Sequence, residues 1–400
     1  MAEIEVPPYF LCPVTLEIMK DPVTVVTGIT YDRDSIEKWI FKHKNNTCPV
    51  TKQPLPDSEL TPNITLRRLI QSWCTLHASQ GVERLRTPKS PVCRSHILKL
   101  LTAATTAAPK TQMACLQRLK SIAFQNQTNR RSMEAVGTAE FLASLIVNQT
   151  LQTSENSSEA LGLLYSLQFS ESGLKLLNNT EFIESLTCLM QTGRYESRAY
   201  AIMLLKSMLE VAEPDQLIHL SQEFFTQLTQ ILADQISEKA TKSSLKPMAI
   251  SCPWGRNRIK AVEAGAVPPL IDLLLNTSSK KAVEMTLTVL DTLCQTAEGR
   301  AELLRHGAGL AVVSKKILRI SNGASERAVR ILHSVSKFSA TPAILQEMLQ
   351  IGVVSKLCLL IQVDCGSNSK ERAREILRLH GRAWRNASCI HCNLISSYPN

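Results

Sequence analysis

A leucine returns at a nearly constant interval through most of this 400-residue chain. Leu119, Leu164, Leu205, Leu290, Leu332 and Leu377 sit in matching, helix-periodic apolar segments, at separations of 45, 41, 85, 42 and 45 residues. The long gap predicts a degenerate member near Leu245. Gly137, Asn179, Gly265, Gly307 and Gly352 form a second series, separated by 42, 86, 42 and 45, with its long gap in the same place. Two independent markers therefore agree on one phase. A unit of this length is two or three helices that cannot bury their apolar face alone, so the units must stack into an array.

The segment Ala261-Val262-Glu263-Ala264-Gly265-Ala266-Val267-Pro268 places a sharp glycine turn between a short and a longer helix. Gly307 and Gly352 repeat that plan, which favours an armadillo-type unit over a HEAT unit. Near Leu245 the run Lys239 to Lys246 is polar, and Pro247 lacks an amide and clashes one turn back. A kinked or frayed helix is expected there. The array is assigned to residues 96–386, preceded by a linker at 80–95 with Gly81, Pro88 and Pro91, and followed by a polar tail at 387–400.

Residues 5–79 read differently. A β-rich run, Val23 to Thr27, meets a turn at Gly28. Asp32 then stands where it can cap a short helix over Arg33 to Lys42, with Ile36, Trp39 and Ile40 on one face. Pro62-Asn63 opens a second helix whose Leu66, Leu69, Ile70 and Trp73 face one way. The fold class is mainly α: a small α/β domain followed by an α-solenoid.

Hydrophobic residues make up 44% of the chain, enough for a large core. The N-terminus shows no basic and apolar leader, and no uncharged apolar run approaches the ~20 residues that span a bilayer. A cytoplasmic address follows, with nuclear or membrane-peripheral sites left open. Twelve scattered cysteines in such a chain read as reduced thiols. Residues 1–77 carry eight Lys/Arg against nine Asp/Glu, so the net charge of +10 lies wholly beyond them. The basic stretches Arg84–Lys110 and Lys370–Arg385 read first as solvated faces, with acidic protein or anionic lipid as other partners. Aromatics are only 5% and no nucleic-acid motif stands out, so nucleic acid is not expected as a partner.

A RING finger holds two protruding loops with eight Cys/His ligands, largely in close pairs, around two zinc ions. Residues 1–77 offer only Cys12, Cys48, Cys74, His43 and His77, with no Cys-x-x-Cys, so zinc cannot organise this domain. Cys389, His391 and Cys392 are likewise too few for a closed site and read as part of a frayed tail. No metal or other cofactor is expected. No phosphate loop, paired carboxylates or serine triad can be pointed out.

The order Phe10-Leu11-Cys12-Pro13-Val14-Thr15-Leu16-Glu17, Met19-Lys20-Asp21-Pro22-Val23, Gly28-Ile29-Thr30-Tyr31-Asp32-Arg33, Ile36-Glu37-Lys38-Trp39, Cys48-Pro49-Val50-Thr51 and Leu60-Thr61-Pro62-Asn63 resembles the U-box family, the zinc-free relative of the RING. With the armadillo pattern and Cys252-Pro253-Trp254-Gly255-Arg256-Asn257-Arg258, the chain resembles plant U-box armadillo ubiquitin ligases without a separate N-terminal helical domain.

The resemblance implies that hydrogen bonds and ion pairs replace the metals, with Asp21, Thr30, Asp32, Arg33, Thr51 and Asn63 as candidates. It implies a docking surface for a ubiquitin-conjugating enzyme at Cys12, Pro13, Val14, Leu16, Trp39 and Pro49. Trp39 also suits packing of the Ile36–Ile40 helix, and Cys12 suits a small buried thiol. Lys52 stands where relatives often carry a basic residue that bridges the conjugating enzyme and ubiquitin; its other reading is an exposed loop lysine. The chain then needs no covalent step of its own. Protein substrates are expected on the array, with Arg198, Glu284 and Arg327 as guesses, and in plant stress or immune signalling. The alternative is a non-catalytic armadillo adaptor, but the Trp/Asn ladder of import receptors is absent, with only Trp254 and Trp384 in the array. Homo-oligomerisation is left open.

Overall fold

The computed structural model describes residues 5–43, 45–55, 60–83, 92–106, 108–149, 155–167, 169–234 and 238–385. The chain divides into two compact units, Met1–Pro91 and Val92–Asn400. Residues 84–91 of the expected linker, and the tail with Cys389, His391 and Cys392, lie outside the described residues.

In the first unit a three-stranded antiparallel sheet has the order β2-β1-β3, with β1 at Pro22–Thr24, β2 at Thr30–Asp32 and β3 at Thr61–Pro62. Val23 pairs with Tyr31 on one side and Pro62 on the other. The strand is shorter than the β-rich run, because Val25 already turns: Gly28 N donates to Val25 O at 2.9 Å and Gly28 takes φ +80. Nothing lies within 4 Å of a Cβ built there, so the backbone angle and not space calls for glycine.

Helix α1, Arg33–Glu37, does not run on to Lys42 as an α-helix. It widens into a π turn over Lys38–Lys42, closed by His43 N donating to Lys38 O at 3.0 Å. Asp32 does not cap α1; its carboxylate bonds elsewhere, as described below. Helix α2, Ile64–Leu76, begins at Asn63, whose Oδ1 accepts from Leu66 N. Its inward face is Leu66, Ile70, Trp73 and Cys74, whereas Leu69 is exposed. Phe10, Met19, Val23, Tyr31, Ile36 and Ile70 form the core.

The second unit begins with two helices, Arg94–Thr106 and Pro109–Gln125. Six triplets of a short, a middle and a long helix follow among the described residues. The third helices are Glu155–Leu167, Tyr195–Glu210, Glu238–Ser251, Lys280–Leu293, Asn322–Phe338 and Ser367–Leu379. With Pro109–Gln125 they pack side by side, each against the next. The landmark leucines, Leu245 included, are all buried in one continuous core. The degenerate unit keeps its helix, which continues through Pro247 to Ser251.

Gly137, Gly265 and Gly352 take φ of +79, +76 and +73 at the turn before the middle helix. Gly307 does not share that left-handed turn; the helix ahead of it ends at His306 in extended backbone. No single helix among the described residues is long and apolar enough to cross a membrane. The pair Pro342–Gln350 and Val353–Gln362 has the length and composition only together, and it is bent by 64°.

Candidate functional site

Two loops of the first unit are built alike. In residues 10–19, Met19 N donates to Phe10 O, Cys12 N to Glu17 O and Leu16 N to Cys12 O, at 2.9, 2.8 and 2.8 Å. In residues 46–55, Leu55 N donates to Asn46 O, Cys48 N to Gln53 O and Lys52 N to Cys48 O, at 2.8, 2.8 and 3.0 Å. Isolated bridges Leu11–Ile18 and Thr47–Pro54 complete the match. The sequence beneath is the same tetrapeptide, Cys12-Pro13-Val14-Thr15 and Cys48-Pro49-Val50-Thr51. Each turn closes on a non-glycine residue in the left-handed region, Leu16 at φ 59 and Lys52 at φ 60. Such strain persists only where the surroundings over-determine it.

Strand β2 supplies those surroundings. Tyr31 OH shares a hydrogen bond with Cys48 Sγ at 3.0 Å and accepts one from Val50 N at 3.3 Å. Thr27 Oγ1 donates to the same sulfur at 3.3 Å. On the other side, Asp32 N donates to Cys12 Sγ at 3.3 Å, and Asp32 Oδ1 accepts from Lys20 N and Asp21 N at 2.7 and 2.9 Å. Adjacent residues thus hold opposite loops. Burial pushes the Asp32 carboxyl up, opposed by those two amides. Burial also pushes the Cys48 thiol up, but donors from Thr27, Thr51 and Tyr31 outweigh it and bring it down to about 6.

The remaining candidate supports tie the helices to the sheet. Arg33 Nε donates to Asp21 Oδ2 at 2.7 Å, and Arg67 reaches the other Asp21 oxygen at 3.5 Å. Arg33 also lies 3.8 Å from Glu37. Asn63 N donates to Pro22 O, and its Nδ2 reaches Thr30 Oγ1, which shares a bond with Thr24 Oγ1 at 2.9 Å. Thr51 Oγ1 accepts from Gln53 N at 3.4 Å. Among the described residues no three Cys, His, Asp or Glu side chains gather as metal ligands.

Of the docking candidates, Pro13, Val14 and Leu16 are exposed, Leu16 at 74%. Pro49 is half-buried and Val50, beside it, is exposed. Trp39 is half-buried, and its indole N–H donates to Thr47 O at 2.7 Å, which ties the π turn to the second loop. Lys52 Nζ stands 5.8 Å from the Trp39 ring centroid. Cys12 is a correction: it is wholly buried, its sulfur turned inward to Asp32, so it shapes the loop and offers no surface.

The three array guesses lie in contacts within the array. Arg198 is bound to Asp234 at 2.7 Å, Glu284 accepts from Ser321 at the start of the next third helix, and Arg327 is bound to buried Asp291 at 3.1 Å. All three are half-buried clamps between neighbouring repeats. Tyr31, Cys48, Thr27 and Arg67 were not singled out for these roles, although the doubled tetrapeptide carries the signal for Cys48.

Comparison with known proteins agrees with both units. Residues 6–79 match the U-box domain and residues 95–400 the plant U-box protein ARM repeat region. "E3 ubiquitin-protein ligase PUB23" of Arabidopsis thaliana is 57% identical, over 99% of this chain and 98% of the relative. "E3 ubiquitin-protein ligase PUB22" of the same plant is 53% identical, over 99% of each. The chain belongs to the plant U-box armadillo-repeat ubiquitin-protein ligases. Among solved structures, one from work on the phosphorylation switch between cadherin and β-catenin has a TM-score of 0.61 at 14% identity, covering 86% of this chain and 60% of that one. An engineered protein reaches 0.51 at 15% identity, covering 82% and 80%. These share the fold.

Proposed function

We propose that the twin loops and Trp39 receive a ubiquitin-conjugating enzyme charged with ubiquitin, and that the array holds the protein to be modified. The observation that carries this reading is exposed apolar surface on strained loops: Val14, Leu16 and Val50 face solvent while hydrogen bonds to β2 fix the turns beneath them. Apolar side chains around an aromatic anchor suit a compact protein interface. Catalysis is then positional, because confining a thioester to reactive conformers lowers the barrier without new covalent chemistry. Cys12 and Cys48 support that division of labour, since both thiols are buried and serve as acceptors inside the loops.

Lys52 beside Trp39 is assigned the contact to ubiquitin. We also place the protein in the cytoplasm and its substrates in plant stress or defence signalling, on family resemblance. Imaging of the tagged full chain, and proximity labelling with a Trp39→Ala variant, test those two points.

The main test is reconstitution. Full-length protein with activating enzyme, conjugating enzymes, ubiquitin and ATP should build ubiquitin chains, including chains on itself. No chains with any member of a broad conjugating-enzyme panel would overturn the proposal.

A further inference from the structure

The third helices interlock by a rule that fails at three of their six junctions; at one of these, His333 with Arg372, Glu375 and Glu326 take the two side chains instead. The residue one position after each buried leucine meets the residue five positions before the next one. Lys120 Nζ lies 2.8 Å from Glu159, the Tyr165 and Tyr200 rings are 5.2 Å apart, and Asp291 takes Arg327 at 3.1 Å. For Lys206 the corresponding residue is Ala240, and for Lys246 it is Met285. Neither can pair with a cation. Among the described residues Lys206 and Lys246 form no ion pair, and exposed Glu210, one turn beyond Lys206, makes none with it. Both lysines are half-buried on adjacent third helices.

Next to them lies apolar and aromatic surface. A cavity of about 290 Å³ lined by Leu164, Tyr165, Phe169, Leu174, Leu204 and Ser207 adjoins the Tyr165–Tyr200 pair. Two unneutralised cations in register, flanked by an aromatic pair and an apolar cavity, call for a partner with the opposite charge and one bulky apolar group.

We infer that this stretch of the array binds an extended acidic peptide segment, with carboxylates facing Lys206 and Lys246 and an apolar side chain at the Tyr165 cavity. The spacing follows from geometry. Packed helices stand about 8–10 Å apart, and a polyproline II chain rises about 3.1 Å per residue and returns to the same face every third residue, so the acids fall at every third residue. The apolar residue falls one further step along, over the neighbouring helix. This deepens the reading of the array as substrate holder and rests on it.

The test is fluorescence anisotropy with the full chain and a labelled 12-residue peptide carrying Asp at every third position and one Phe. A peptide of equal composition with its acids clustered, and an oligonucleotide of equal charge, serve as comparisons. The spaced peptide should bind at least about tenfold more tightly than either. K206E/K246E should lose about tenfold or more, whereas K99E/K315E, the same charge change at exposed lysines elsewhere, should lose little. An unchanged denaturant-unfolding midpoint for K206E/K246E would show that its fold is intact. Equal binding of the clustered peptide or the oligonucleotide, or equal losses in the two double variants, would overturn the inference. Absence of chain formation by the unaltered protein would instead count against the ligase reading, whatever the peptide does.

Discussion

Cys12 and Cys48 occupy the same place in two loops closed by the same hydrogen bonds, and each sulfur bonds to β2, Cys12 accepting from Asp32 N and Cys48 sharing a bond with Tyr31 OH. Their surroundings still differ, since Cys48 has hydroxyl donors and is brought to about 6. An unfolded thiol titrates near ~8.5. With the folded value depressed, the unfolded chain holds the extra proton between the two. The Cys48 contribution to stability is therefore complete above about 8.5 and lost as pH falls through about 6. Hydrogen exchange in residues 46–55 of the full chain, after correction for intrinsic rates, should show protection rising across that interval. Cys48→Ser should flatten the rise; an equal rise in the variant would contradict the assignment.

Tyr31→Phe removes one hydroxyl that both engages Cys48 and satisfies Val50 N. Leaving buried partners unsatisfied costs about 1–3 kcal/mol. The expected result is faster exchange at Val50 and weaker ligase activity with the circular dichroism spectrum unchanged. Full activity with normal protection would remove Tyr31 from the account.

Arg327 belongs to the array's own structure. Burial pushes the Asp291 carboxyl up, against the pull of Arg330 and Arg327. Arg327→Ala should lower array stability by about 1–3 kcal/mol, measured by denaturant unfolding. Arg330 Nε still stands 3.1 Å from the same Asp291 oxygen, so Asp291→Asn should cost less on top of Arg327→Ala than in the unaltered protein. Additive losses would mean that the pair is not coupled.

Lys52 offers a point charge where arginine would offer a planar fork of donors. Lys52→Arg should match or raise the rate of ubiquitin discharge from the conjugating enzyme, and Lys52→Ala should lower it. An unchanged rate in both would make Lys52 an ordinary exposed loop residue.

Much of this was legible in the sequence. The leucine series carried the phase of the repeats because each leucine meets a core shared with its neighbours, and even Leu245 kept its place; Gly137, Gly265 and Gly352 mark the same phase through the left-handed turn before the middle helix. Periodicity said less about surfaces. Arg198, Glu284 and Arg327 looked exposed because their partners lie 36 or 37 residues away, and only the stacking of repeats brings them together. Asp32 looked like a helix cap from its local sequence, but the amides of Lys20 and Asp21 claim its carboxylate. The π turn at Lys38–Lys42 had no propensity signal; it accompanies the bond from the Trp39 indole to Thr47.

The docking face is tested most directly by single-turnover discharge of a purified conjugating enzyme–ubiquitin thioester to free lysine. The full-length protein should accelerate discharge, Trp39→Ala and Leu16→Asp should each reduce that acceleration about tenfold or more, and K206E/K246E should leave it intact. Undiminished acceleration by folded Trp39→Ala and Leu16→Asp proteins would contradict the account.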